Sequence, residues 1–118
     1  MAVRLEKPWI DLNVSNVAKL SGHLGVYELA NKNARIVYIG VADATSSFGL
    51  REKLEGESRK PRYGACQFRI EINMAYRTRY TELLQVFFYD QNRLPVGNED
   101  TNPNSLGRLR PGGSIGES

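Results

Sequence analysis

Cysteine and histidine are almost absent from this chain, with only Cys66 and His23 among its 118 residues. A lone cysteine closes no internal disulfide, and one cysteine with one histidine builds no zinc cluster, so disulfide scaffolds and zinc fingers are excluded. Spacing brings no histidine to Cys66, which reads as a small core residue on the apolar side of a strand rather than as a nucleophile. Long apolar runs are missing too: none approaches the roughly 18 residues of a membrane span, and the opening M-A-V-R-L-E-K-P-W lacks the apolar centre of a signal peptide. The expectation is a cytoplasmic protein without membrane contact.

What is present is ordinary globular material, 41% hydrophobic and 25% charged, at a length that suits one domain with a real core. The formal charge of +3 is modest but unevenly laid out. From Arg59 to Arg79 the cations Arg59, Lys60, Arg62, Arg69, Arg77 and Arg79 meet one acid, Glu71. That asymmetry points to a polyanionic partner, with a solvated basic surface as the plain alternative.

Residues 1–12 read as an arm that lays Trp9 and Ile10 on the body, because Pro8 opposes an opening helix. A short helix follows, with Ser15 as N-cap and Gly22 as its stop. Gly25–Ala30 and Arg35–Val41 form a hairpin around N-K-N-A. A turn centred between Lys32 and Asn33 sets Tyr27 directly across from Tyr38, with Leu29 and Ile36 on the same face and Val26, Val37 and Ile39 on the other. G-L-R-E-K-L-E-G predicts a second helix closed by Gly56 and held down by Leu50 and Leu54.

C-Q-F-R-I-E-I-N alternates as a half-buried strand, and Tyr80, Leu83, Leu84, Phe87 and Phe88 mark one face of a helix over Tyr76–Asn92. Residues 101–118, rich in Gly, Pro, Ser and Asn, read as a flexible tail beyond a domain at 13–100. The fold class is α+β, a small three-stranded antiparallel sheet flanked by helices.

Certain of these residues stand in a familiar order. G-V-Y at Gly25–Tyr27 and Y-I-G at Tyr38–Gly40 precede Arg51 in G-L-R-E-K-L, Glu82 in R-T-R-Y-T-E-L-L-Q, and Asn98 after L-P-V-G. The set resembles the GIY-YIG endonucleases from Leu20 to about Asn98. The resemblance implies a metal-dependent endonuclease that hydrolyses DNA by in-line attack of water with a single Mg²⁺ or Mn²⁺. Glu82 would hold the cation, Arg51 the scissile phosphate, and Tyr27 the attacking water as base or orienter. Tyr38 would help to position that water, and Asn98 would buttress the site. Arg59, Lys60, Arg62, Arg77 and Arg79 are then the candidate DNA contacts, beside whatever protein partner the chain has.

The chemistry is coherent: a hard cation and a guanidinium both stabilise charge on phosphate oxygens, and Mg²⁺ needs few carboxylates because it keeps its waters. Tyrosine, with an ordinary pKa of about 10, either needs a nearby cation to favour its phenolate or acts only by passing a proton through the metal-bound water. Glu55, four residues past Arg51, stands where many members carry His or Tyr, and there it either adds a metal ligand or repels phosphate. Val41 follows Y-I-G where a polar residue is frequent.

Each residue has a plainer reading as well. The tyrosines pair across strands, Glu82 lies about 160 to 170° from the apolar stripe with Arg79 as its partner, and Asn98 serves a turn. The alternatives are a catalytically impaired GIY-YIG-fold nucleic-acid-binding domain and a protein-interaction scaffold.

Overall fold

The computed structural model describes residues 4–99. The tail at 101–118 and the end of the domain at residue 100 lie outside the described residues.

The elements follow in the expected order, helix, strand, strand, helix, strand, helix, with one strand added at the front. They are β1 (Ile10–Asp11), α1 (Val14–Ala18), β2 (Gly25–Ala30), β3 (Ile36–Ala42), α2 (Gly49–Arg59), β4 (Gln67–Ile72) and α3 (Tyr76–Gln91), then a 3₁₀ turn at Val96–Asn98. The strands pair antiparallel in the order β1-β4-β2-β3. The sheet therefore has four strands rather than three. The arm supplies the fourth, because Ile10 and Asp11 find the free edge of β4 opposite Phe68 and Gln67.

Helices cover both faces. On one, Leu50 and Leu54 of α2 pack with Val17 of α1 against Tyr27, Leu29 and Phe68. On the other, Leu83 and Leu84 of α3 pack with Val26, Ile39, Leu94 and Leu5 of the arm, flanked by Tyr80, Phe87 and Phe88. The apolar stripe of α3 thus faces the sheet as its period requires. Burying each such side chain stabilises the fold by about 1.5–3 kcal/mol.

Four local expectations are corrected. Asn13, not Ser15, caps α1, its side chain accepting from the Asn16 N–H at 2.8 Å. Helix α2 runs through Gly56 to Arg59, because nothing on its exposed side forces a left-handed turn there. Cys66 is exposed, since β4 begins one residue after it.

The hairpin register also differs: Tyr27 lies opposite Gly40, and Leu29 opposite Tyr38. The connection spans Asn31 to Arg35, with Ala34 at φ 61° and the Asn31 side chain accepting from the N–H groups of Asn33 and Arg35. Because Ala30 pairs with Ile36 and Leu29 with Tyr38, Val37 is an extra residue in β3. That bulge sends Ile36 to the α3 face and Val37 to the α2 face, the reverse of simple alternation.

The arm is part of the core rather than a loose leader. Leu5 is 3% exposed within the α3-side cluster, and Arg4 grips Asp90 of α3 through two hydrogen bonds of 2.7 and 2.9 Å. Leu5→Ala is expected to lower the unfolding free energy by about 2–3 kcal/mol in urea titration, while Val14→Ala, at a position 73% exposed, changes it by less than about 0.5 kcal/mol.

Candidate functional site

Tyr27 stands on the central strand, its ring laid over Gly40: a Cβ on Gly40 would fall 2.3 Å from the ring carbon that bears the hydroxyl. Glycine at that position is what lets the phenol cross β3. The hydroxyl donates to Glu57 Oε2 at 3.0 Å. Glu57 reaches it because α2 continues past Gly56, placing Leu50, Leu54 and Glu57 on one helical face.

Arg62, in the loop after α2, closes on the same carboxylate, Nε to Oε1 at 3.2 Å and Nη2 to Oε2 at 2.8 Å. Its guanidinium lies 4.6 Å from the Tyr38 ring centre and 5.9 Å from that of Tyr63. Tyr38 is a tilted neighbour of Tyr27, with centroids 6.0 Å apart.

Beneath this cluster the 3₁₀ turn runs close. A Cβ on Gly97 would fall 2.8 Å from the Tyr38 ring and 3.0 Å from Tyr63. Asn98 next to it is buried, and its side-chain amide copies a neighbouring strand: Oδ1 accepts from the Ile39 N–H at 2.9 Å and Nδ2 donates to the Ile39 carbonyl at 3.0 Å. The expected buttress is thus a clamp on the outer edge of β3.

The electrostatics follow from burial. Burial pushes the Tyr27 phenol well above its ordinary pKa, and the charges at Glu57 and Tyr38 push the same way, with Arg62 opposing. The phenol keeps its proton and gives it to Glu57 as a hydrogen bond. The Glu57 hydrogen bond raises Arg62 above the usual arginine value, so its positive charge is fixed.

Tyr27, Tyr38 and Arg62 are therefore brought together, with Glu57 joining Tyr27 to Arg62, while Asn98 holds the backbone of Ile39 and its neighbour Gly97 packs on Tyr38. Arg51 sits on α2, on the same side of the sheet, its guanidinium 5.8 Å from the Phe48 ring centre. Glu55 is half-buried on α2, its carbonyl accepting from the Ser58 hydroxyl.

Glu82 lies on the opposite face, with α3. Its carboxylate takes a hydrogen bond from Arg79 Nη1, and Arg79 Nε reaches Glu71 of β4 at 2.9 Å. Arg79 is 8% exposed and serves these acids rather than an outside partner. Arg59, Lys60 and Arg77 are exposed and form no ion pair among the described residues.

The same face carries a second buried pair, Arg69 Nε to Glu28 Oε1 at 2.7 Å, with the Trp9 ring centre 4.0 Å from the Arg69 guanidinium. An open cleft of about 430 Å³ lined by Arg35, Phe87, Gln91 and Arg93 holds none of the predicted site residues. Among the described residues, no group of three or more His, Cys, Asp or Glu is placed to hold a metal ion, and no helix is long and apolar enough to cross a membrane.

Glu57 and Tyr63 were not singled out from sequence. The signal for Glu57 was the run Leu50, Leu54, Glu57, hidden by reading Gly56 as a stop.

Residues 3–88, well over half of the chain, match the profile of a family described as a domain of unknown function (DUF7508). The chain belongs to the DUF7508 family. No curated protein matches it. The DUF7508 region takes in Tyr27, Tyr38, Glu57, Arg62 and Glu82, and stops short of Asn98.

Asn98→Ala removes both partners of a buried backbone N–H and C=O, and is expected to cost about 2–3 kcal/mol in urea unfolding. A second expectation concerns acid. Burial pushes the Glu71 carboxyl up, but hydrogen bonds from Asn73 and Arg79 outweigh it and hold the group below its usual range. Its stabilisation is complete above the unfolded carboxylate value of about 4.3 and is lost as pH falls below that. Asp43 and Glu52 shift in the same direction, so the comparison with Glu71→Gln isolates the effect. The variant should be less stable at neutral pH, with the gap closing between about pH 5 and pH 3.

Proposed function

We propose that this chain is a nucleic-acid-binding domain built on the GIY-YIG fold, holding the phosphodiester backbone with the cations of α2 and the loop that follows it. The observation that carries this reading is how charges are partnered along that helix. Two of its three acids are engaged, Glu52 by the Phe48 N–H and the Ser46 hydroxyl, Glu57 by Arg62 and Tyr27, while the Glu55 carboxylate forms no ion pair among the described residues. Its cations Arg51, Lys53 and Arg59, with Lys60 beyond, form no ion pair among the described residues. Four unpaired cations against one unengaged acid, Glu55, give a net positive surface suited to phosphate.

A second reading, a metal-dependent DNA endonuclease, is favoured by the order of Tyr27, Tyr38, Arg51, Glu82 and Asn98 in the sequence. Its cation, Mg²⁺ or Mn²⁺, would lie at Glu82, but that carboxylate is held by Arg79 on the sheet face away from the phenols. A metal arriving there meets a guanidinium at hydrogen-bond distance, and Tyr27 holds its proton, so the residues as arranged do not fit the cation.

Anisotropy with a labelled DNA duplex and nicking of supercoiled plasmid with Mg²⁺ or Mn²⁺ separate the two. Binding that weakens by about 10- to 100-fold between roughly 50 and 200 mM salt, lost on Arg59→Glu with Lys60→Glu, and an intact plasmid are expected. Nicking that disappears in both Glu82→Ala and Arg51→Ala would establish the endonuclease instead. Absence of binding to DNA at low salt would sink both and leave a protein-interaction scaffold.

A further inference from the structure

The loop after α2 reads R-K-P-R-Y-G, Arg59 to Gly64. It ends in a tight turn in which the Ala65 N–H donates to the Arg62 carbonyl at 2.9 Å. Both central residues are left-handed, Tyr63 at φ 57° and Gly64 at φ 75°. Such a turn favours Asn-Gly, and a bulky aromatic in its first central position is strained.

The strain is not repaid by burial, because Tyr63 is 49% exposed. One edge of its ring rests beside Gly97, and the Arg62 guanidinium, itself fixed by Glu57 and lying over Tyr38, stands 5.9 Å from the ring centre. The result is a half-exposed aromatic ring beside a fixed guanidinium, three and four residues along the chain from the unpaired cations Lys60 and Arg59.

An exposed, oriented ring flanked by cations has the chemistry of a base-stacking site: the ring takes the π-face of a nucleobase while the cations meet the adjoining phosphates. A base paired within a duplex offers no such face. We infer that Tyr63, with Arg62 and Tyr38 behind it, is a stacking platform for an unpaired DNA base, and that the domain prefers single-stranded or gapped DNA to continuous duplex. This rests on the nucleic-acid reading and adds its substrate class.

The test compares Tyr63→Gly and Tyr63→Phe by anisotropy with a labelled oligothymidylate and with a duplex of equal phosphate number. Glycine suits the left-handed backbone, so Tyr63→Gly removes the ring without straining the turn. The expected result is tighter binding of oligothymidylate than duplex by the unaltered chain. Tyr63→Gly should weaken the oligothymidylate complex about tenfold, leave duplex affinity within about twofold, and Tyr63→Phe should preserve both. Unchanged oligothymidylate binding in Tyr63→Gly, or equal loss on both probes, would overturn the platform while the nucleic-acid reading stands. If the unaltered chain bound neither probe, that reading would fall and the platform with it.

Discussion

Every residue of β2 is buried, and the rest of the molecule is arranged around that constraint. The strand lies between β3 and β4 and has helices on both faces, yet two successive positions, Tyr27 and Glu28, carry polar groups that cannot be left unpartnered in such a place. Alternation sends them to opposite faces. Tyr27 draws Glu57 to it, and Glu57 in turn draws Arg62 out of the following loop. Glu28 draws Arg69 across from β4, which brings Trp9 and the Lys7 carbonyl of the arm over the sheet. The path of the loop after α2 and the path of the arm are both consequences of polar atoms on one central strand.

Two populations of arginine follow. Arg4, Arg62, Arg69 and Arg79 complete the fold, each bound to a carboxylate, and Arg69 and Arg79 are largely shielded from water. Arg51, Arg59 and Arg77 do not, and these lie on α2 and at the start of α3. Within the one basic stretch from Arg59 to Arg79, Arg62, Arg69 and Arg79 thus bind carboxylates of the fold, while Arg59 and Arg77 stay exposed. Composition cannot make that division, because it depends on which acids the fold brings near.

The sequence carried the elements wherever the side-chain period was long and regular. Tyr80 through Phe88 specified the buried face of α3, and Leu50 with Leu54 specified that of α2. The two tyrosines, grouped in the sequence by the tripeptides that carry them, do lie beside one another, and Asn98 reaches the strand that carries Tyr38. What was not legible depended on single residues in unusual conformations. The bulge at Val37 and the left-handed Ala34 moved the hairpin register, since neither residue type announces such a role. Gly56 looked like a helix stop, yet it sits in open space in mid-helix, and that misreading concealed Glu57. Glu82 was visible as a partner of Arg79, but the sheet face they share is decided by Glu71, a contact across eight residues.

The clamp of Asn98 on Ile39 bears on how this sheet meets other sheets. An open four-stranded sheet has two edges, and exposed edges invite pairing with a second chain. One edge here is β1, only two residues long, too short to template an incoming strand. The other is β3, which would be long enough, but its middle is occupied: the N–H and C=O of Ile39 are already held by a side chain imitating a strand. An incoming strand has to displace a buried amide before it gains its first full ladder, and that guards the domain against stacking edge to edge into aggregates.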